Sequence, residues 1–259
     1  MLTNRYGFPE SIAAALRRSD EDYERVPDSY SVSELIGPPM VGALRRRHRA
    51  QIVEDVSDMA WLLLGTSVHY VIEKASKDAG PLFEERLRLQ LSDGAGRKFL
   101  VTGKPDLLDA DGWLNDYKVT SVWSFILGDK PEWEQQLNLY ALLCGVNGHE
   151  VKGLRIVAIL RDWQKSELMR DPARYPDCPL KIKIVPLWTR EEQIQLLQSR
   201  LELHAGADAA ELTLDSPFLC TAEDRWQKPD SWAVFKAQNK RAARVLASER
   251  EAYDWIAGQ

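Results

Sequence analysis

Cysteine is scarce in this 259-residue chain: Cys144, Cys178 and Cys220 are odd in number and far apart, with no Cys-x-x-Cys pair. That spacing excludes a disulfide framework and a zinc finger, and three dispersed thiols cannot supply the four-cysteine ligand set of an iron-sulfur cluster within one chain. Long apolar runs are missing too. No stretch of ~18 apolar residues occurs, and Met1-Leu2-Thr3-Asn4-Arg5-Tyr6-Gly7 lacks the form of a signal peptide. A soluble cytoplasmic protein with no membrane association is therefore expected. There is no Gly-rich loop ending in Gly-Lys-Ser/Thr, so neither a nucleotide cofactor nor an ATP-driven motor is expected. A basic excess is also lacking: 34 Lys and Arg against 39 Asp and Glu give a net charge of −5. That balance argues against tight nonspecific binding to a duplex.

What is present is enough apolar material for a sizeable core, 44% hydrophobic and 9% aromatic. Without an internal repeat or a long linker, the chain reads as one domain. It divides into a helical N-terminal elaboration (1–57), a core (58–165) and a C-terminal elaboration (166–259). Phe8 to Arg18 is amphipathic, and Ser31-Val32-Ser33-Glu34 forms a capping box before Leu35. A helix is expected from about Asp58 to Lys77. Strands follow around Phe83 to Leu91, Phe99 to Thr102, Asp106 to Asp109 and Trp113 to Lys118. A helix opened by Pro131 at its first position comes next, then a strand over Leu154 to Arg161.

A Pro-rich loop precedes a second alternating strand, Lys181 to Leu187, and the two strands are expected to form a hairpin projecting from the core. Thr189 and Glu192 cap a long amphipathic helix to Ala207. The tail holds an extended Trp232 to Lys236, a basic turn, an apolar run to Leu246 and a short helix introduced by Ser248 and Glu251.

Chemistry concentrates between Asp106 and Lys118. The Asp109-Ala110-Asp111-Gly112 turn between two short apolar runs reads as a hairpin that sets Asp106 beside Asp116. Strand alternation then puts Asp116 and Lys118 on one face and Tyr117 on the other. Two acids on a half-buried face repel unless a cation joins them, and oxygen ligands of this kind suit Mg²⁺ or Mn²⁺. An ordinary surface Asp/Lys pair is the competing reading. Upstream, His69 and Glu73 lie one helical turn apart on the same face, with Gly65 marking a close backbone approach or a helix start. Read alone, the pair is a structural histidine and a solvated partner for Lys77. Downstream, Gln136 and Tyr140 again share a helix face; individually they are a half-buried amide and an amphipathic aromatic.

Taken in order, Gly65-x3-His69, Gly103-x-Pro105-Asp106, Asp116-Tyr117-Lys118 and Gln136-x3-Tyr140 resemble the RecB-like branch of the PD-(D/E)XK nucleases, including phage-type and CRISPR-associated exonucleases. The resemblance is close over Trp61 to Trp163. It implies a restriction-endonuclease-like α/β core, a central mixed sheet flanked by helices, with helical N-terminal and α+β C-terminal elaborations. It implies His69, Asp106, Asp116 and the Tyr117 backbone carbonyl as metal ligands and Lys118 as the catalytic lysine. Gln136 and Tyr140 would line the site, with Glu73 supporting the ligands from behind.

The activity implied is Mg²⁺- or Mn²⁺-dependent hydrolysis of linear DNA at ends or single-stranded flaps, in recombination, repair or phage metabolism. The setting is a bacterial or phage-infected cytoplasm. A recombinase, single-strand-binding protein or helicase would act as a separate partner. Imidazole beside two carboxylates favours Mn²⁺ as much as Mg²⁺. Structure-selective endonuclease or RNA cleavage at the same site, and a non-catalytic DNA-binding or assembly module, are the alternatives. Two basic clusters could track a phosphate backbone, Arg45-Arg46-Arg47-His48-Arg49 and Lys236, Lys240, Arg241, Arg244, although each is equally a solvated face. Some of the nine tryptophans could serve as base-stacking platforms for single strands.

Overall fold

The structure is a computed structural model. It describes every residue except 22–28, 76–81, 84, 93–95, 129, 212, 214, 238 and 259; the side chains of 18–21 and 83 are likewise outside the description. Lys77 and part of the segment expected as a strand from Phe83 therefore fall outside it. Contacts divide the chain into two units, Met1–Phe218 and Leu219–Gln259.

In the first unit the elements are β1 (Leu2–Thr3), α1 (Glu10–Glu21), β2 (Ser29–Ser31), α2 (Val32–Ile36), α3 (Pro39–Arg47), β3 (Glu54–Asp55) and α4 (Ala60–Ala75). These are followed by β4 (Leu82–Phe83), β5 (Leu87–Ser92), β6 (Lys98–Gly103), β7 (Leu107–Leu108), β8 (Trp113–Thr120), α5 (Val122–Ile126) and α6 (Pro131–Val146). The unit closes with β9 (Gly153–Leu160), α7 (Lys165–Arg170), β10 (Leu180–Val185) and α8 (Arg190–Ala209). The second unit holds β11 (Trp232–Val234) and β12 (Arg244–Leu246), paired antiparallel, and α9 (Glu249–Ala257), capped by Ser248.

The central sheet runs β10-β9-β8-β7-β4, with β8 and β9 parallel and the other neighbours antiparallel. A three-stranded sheet, β2-β6-β5, lies beside it in the chain order. Joining β8 to a parallel β9 requires a crossover, and α5 with α6 supplies it. Helix α6 is buried along Leu137–Cys144 on every side, as expected of a helix that is apolar all round. The result is the α/β class read from the sequence, a central mixed sheet flanked by helices. Three details differ from expectation. β9 and β10 pair within the sheet, where β10 is its edge strand, so they do not project from it. Gly65 sits inside α4 with nothing within 4 Å of a Cβ built on it, so it marks neither a close approach nor a helix start. β7 is only two residues long, and Asp106 lies just before it.

The N-terminal segment serves two places. β1, α1 and the turn at Val56 make a small separate core of Ala13, Leu16 and Val56, against which Leu63 of α4 packs. β2 and α2 instead join the main core, where Tyr30, Val32 and Leu35 lie with residues of α6 and α8, while α3 is tied to α8 through Arg46 and Arg47.

Candidate active site

The hairpin that sets the acids is built as its sequence dictates. Asp109 accepts the backbone N–H of Gly112 on its carbonyl, while its carboxylate accepts the N–H groups of Asp111 and Trp113. Gly112 adopts φ +87°, which a residue with a Cβ resists. The register pairs Leu107 with Asn115 and Leu108 with Leu114, so Asp106 falls opposite Asp116. Arg155 clamps the turn from β9 through Asp109 (2.6 Å) and Asn115.

Pairing stops at Asp106 because its carboxylate takes over the acceptor role: Oδ2 receives the Tyr117 N–H at 2.7 Å. Pro105, with no N–H, cannot extend the ladder as a donor. Beyond this point the β7-side edge of β8 is left to side chains. In a strand the N–H and C=O of one residue point to the same side, so the Tyr117 carbonyl faces the same edge as Asp106. Helix α4 brings His69 there, with Nδ1 3.3 Å from Asp106 Oδ1 and its ring edge-on to Tyr117 at 6.5 Å between centroids. Glu73 is half-buried one turn further along the helix.

On the face of β8 turned to α6, close enough to feel the charges of Asp106 and His69, Asp116 is 3% exposed in a row with Leu114 and Ile156. Burial pushes its carboxyl up to about 6; Lys118 opposes the shift and the charge of Asp106 adds to it. Lys118 Nζ donates to Asp116 Oδ1 at 3.0 Å and to Gln136 Oε1 at 3.0 Å, and Gln136 Nε2 donates to the Tyr140 hydroxyl at 3.2 Å. Asp116 Oδ2 lies 2.8 Å from the same ammonium and, among the described residues, accepts no hydrogen bond. Gly103 makes the close approach of β6 to this helix: a Cβ there would stand 2.6 Å from Leu143 and 2.9 Å from the Tyr140 ring. The glycine of the Gly103-x-Pro105-Asp106 motif thus places Tyr140.

The donor types fit a divalent cation. Asp116 has a buried oxygen without a hydrogen bond, the two acids raise the local negative charge, and His69 adds an imidazole. Among the described residues, however, no three His, Cys, Asp or Glu side chains are already gathered as a metal site. His69 and Asp106 touch, while the ammonium of Lys118 stands beside Asp116.

The basic residues separate. Arg46 is bound to Glu34 and Asp208 and stacks on Tyr30, and Arg47 donates to the carbonyls of Ala207, Asp208 and Ala210 at the end of α8. Both guanidinium groups hold the protein together. Arg45 and Arg49 are exposed, as are Lys236, Lys240 and Arg241 in the second unit. Asp162 has a role the sequence reading did not assign. Its carboxylate accepts the Val122 N–H and the Ser121 hydroxyl, fixing the exit of β8 just past Lys118. Ser121 caps α5, and its partner Asp162 lies some forty residues further on, a pairing that no local sequence signal reveals. A cavity of about 430 Å³ between β5–β6 and α6–α8, walled by Leu89, Phe99, Leu142 and Leu197, contains none of the candidate residues.

No family profile and no curated protein matches the sequence. Among solved structures, the crystal structure of SSO0001 is similar at a TM-score of 0.54 and 14% identity, over 75% of this chain and 85% of that one. At that identity the likeness concerns the fold alone. An alkaline exonuclease, LHK-Exo, from Laribacter hongkongensis aligns at a TM-score of 0.37 and 16% identity, over 77% of this chain and 92% of that one. Its complex with dAMP aligns at 0.30 and 15%, over 77% and 79%. At these scores the two exonuclease alignments carry no weight.

Proposed function

We propose that this chain is a metal-dependent nuclease of the RecB-like PD-(D/E)XK type, with its catalytic core in residues 58–165, hydrolysing phosphodiester bonds of linear DNA at ends or flaps. One observation supports this above the others. Asp116, Lys118, Gln136 and Tyr140 form a continuous polar chain at the edge where Asp106 and His69 meet. A surface Asp/Lys pair would have no need of a helix on the far side to hold the lysine.

In this reading His69, Asp106, Asp116 and the Tyr117 carbonyl would hold Mg²⁺ or Mn²⁺, with Glu73 behind them. When bound, the ion would supply charge neutralisation at the phosphate and a bound water of lowered pKa. The protein's own groups do the positioning. Lys118 presents an ammonium that steadies the attacking water or the charge growing on a phosphate oxygen. Gln136 holds that ammonium at a fixed distance from Asp116, and Tyr140, seated over Gly103, holds Gln136. The apolar row of Leu114 and Ile156 excludes bulk water from Asp116, which strengthens each of these charge contacts. Of the two basic clusters, Arg45, Arg49, Lys236, Lys240, Arg241 and Arg244 are exposed and available to phosphates. A recombinase, single-strand-binding protein or helicase would act as a separate chain.

The test uses the full chain with end-labelled linear single- and double-stranded DNA and closed circles, in Mg²⁺, Mn²⁺ and chelator. Linear DNA is expected to be degraded only with metal, leaving circles intact. Lys118→Ala is expected to lower turnover by about 100-fold or more while Mn²⁺ binding, measured by calorimetry, persists. Normal cleavage by that variant, or no metal-dependent cleavage of any substrate by the parent, overturns the reading.

A further inference from the structure

Helix α4, which carries His69, has no buried residue along its 16 positions and exposes Trp61, Leu62, Leu64, Tyr70 and Val71. Its N-terminal tryptophan is not simply loose in solvent. The guanidinium of Arg161 lies 4.2 Å from the centroid of the Trp61 ring, and the Arg161 N–H donates to the Thr120 carbonyl at 3.0 Å. Trp61 thus stacks on Arg161 at the end of β8, two residues past Lys118, and stays 63% exposed. Trp123, 57% exposed, stands on α5 at the same strand end. Asp162, whose carboxylate accepts the Val122 N–H and the Ser121 hydroxyl, feels the Arg161 charge and offsets part of it.

We infer that Trp61, held flat by Arg161, together with Trp123 is a base-stacking platform that feeds single-stranded nucleic acid to the Lys118 site. This rests on the nuclease reading for what happens next, but not for the binding itself. Three observations favour a nucleic-acid strand as the occupant. Trp61, 63% exposed, offers a free aromatic face backed by a cation, which is how single strands are held without sequence preference. The guanidinium edge can meet a phosphate. The platform is continuous with the candidate site, since Trp61 precedes His69 by eight residues, about 12 Å along the helix, or roughly three nucleotides at ~3.4 Å each. The net charge of −5 adds a consequence: with few phosphate contacts, stacking carries the binding, and its salt dependence is shallow.

The experiment measures binding of a fluorescent 20-nucleotide oligo(dT) and a blunt duplex of equal length by anisotropy, in chelator, at low and moderate salt. Cleavage of both substrates with metal is followed in parallel. The intact chain is expected to prefer the single strand with a weak salt slope. Trp61→Ala is expected to weaken oligo(dT) binding by about 5- to 100-fold with little change for the duplex, and Trp61→Phe to retain most of it. Because Trp61 is exposed and its one stated contact is the Arg161 stack, the melting temperature of Trp61→Ala should fall by only a few degrees. Unaltered oligo(dT) binding in a folded Trp61→Ala overturns the proposal. So does a shift in sedimentation mass with binding unchanged, which would make the patch a protein interface. Binding through Trp61 without cleavage sinks the nuclease reading and leaves the platform standing. Cleavage with Trp61-independent binding does the reverse.

Discussion

Asp116 is the side chain on which the candidate site depends and also the one the fold tolerates least. Its carboxyl is buried between Leu114 and Ile156 and shifted from an ordinary 3.8 up to about 6. A raised folded-state value means the native protein holds a proton the unfolded chain has already released. The carboxylate therefore costs stability that grows as pH rises from 3.8 through about 6. Asp116→Asn, which mimics the protonated form and can still accept from Lys118, is expected to stabilise the metal-free protein at pH 7.5 by roughly 2–3 kcal/mol. The advantage should vanish below about pH 4, and cleavage should be abolished. Thermal melts in chelator at the two pH values check this, and an equal or lower melting temperature at pH 7.5 contradicts it. At this scale much was legible. The turn residues set Asp106 against Asp116, and the i, i+4 spacing set Gln136 beside Tyr140. What could not be read was engagement: Arg45 and Arg46 are alike in sequence, yet the second is consumed by Glu34 and Asp208, the latter 162 residues away.

Among elements, two glycines of the motif pattern behave oppositely, and the difference is geometric. Gly103 lies where β6 runs against α6, so an added Cβ meets Leu143 and the Tyr140 ring inside ordinary contact distance. Gly103→Ala must push α6 or twist Tyr140, at a cost of about 1–3 kcal/mol, with turnover falling because Tyr140 positions Gln136. Gly65 faces open space in the middle of α4, so Gly65→Ala is expected to gain about 0.5–1 kcal/mol of helix stability and to cleave normally. Melting temperatures and turnover of the two variants separate the roles, and a destabilised Gly65→Ala would mean α4 packs closely on something in solution. The sequence shows that both positions are glycine and that α4 is apolar and helical. It does not show which glycine is crowded, because that depends on which elements meet. Similarly, the alternation in Leu180–Val185 identifies a strand but not its place at the sheet edge.

Over the first unit as a whole, the N-terminal elements are held to the core helices through a polar cluster on α8. Arg200 and His204 Nε2 both donate to the carbonyls of Leu35 and Gly37, Arg46 reaches Asp208, and the Tyr30 hydroxyl donates to Asp208. His204 is completely buried and, among the described residues, its Nδ1 has no hydrogen-bond partner. Burial holds its pKa down, from 6.5 to about 4, with the charges of Arg200 and Arg46 acting in the same direction. The folded protein thus keeps the imidazole neutral where the unfolded chain would protonate it. Stability is fully present above about pH 6.5 and is lost as pH falls toward 4, by an amount on the order of 3 kcal/mol. Asp116 runs the other way over the same window, so the parent protein alone would show a blunted acid response. The Asp116→Asn background removes that opposition. In it, melting temperature should fall steadily between pH 6.5 and 4, whereas adding His204→Gln, which keeps a donor but cannot titrate, should flatten the curve. Parallel curves for the two proteins would show that the end of α2 is not held to α8 by a neutral histidine.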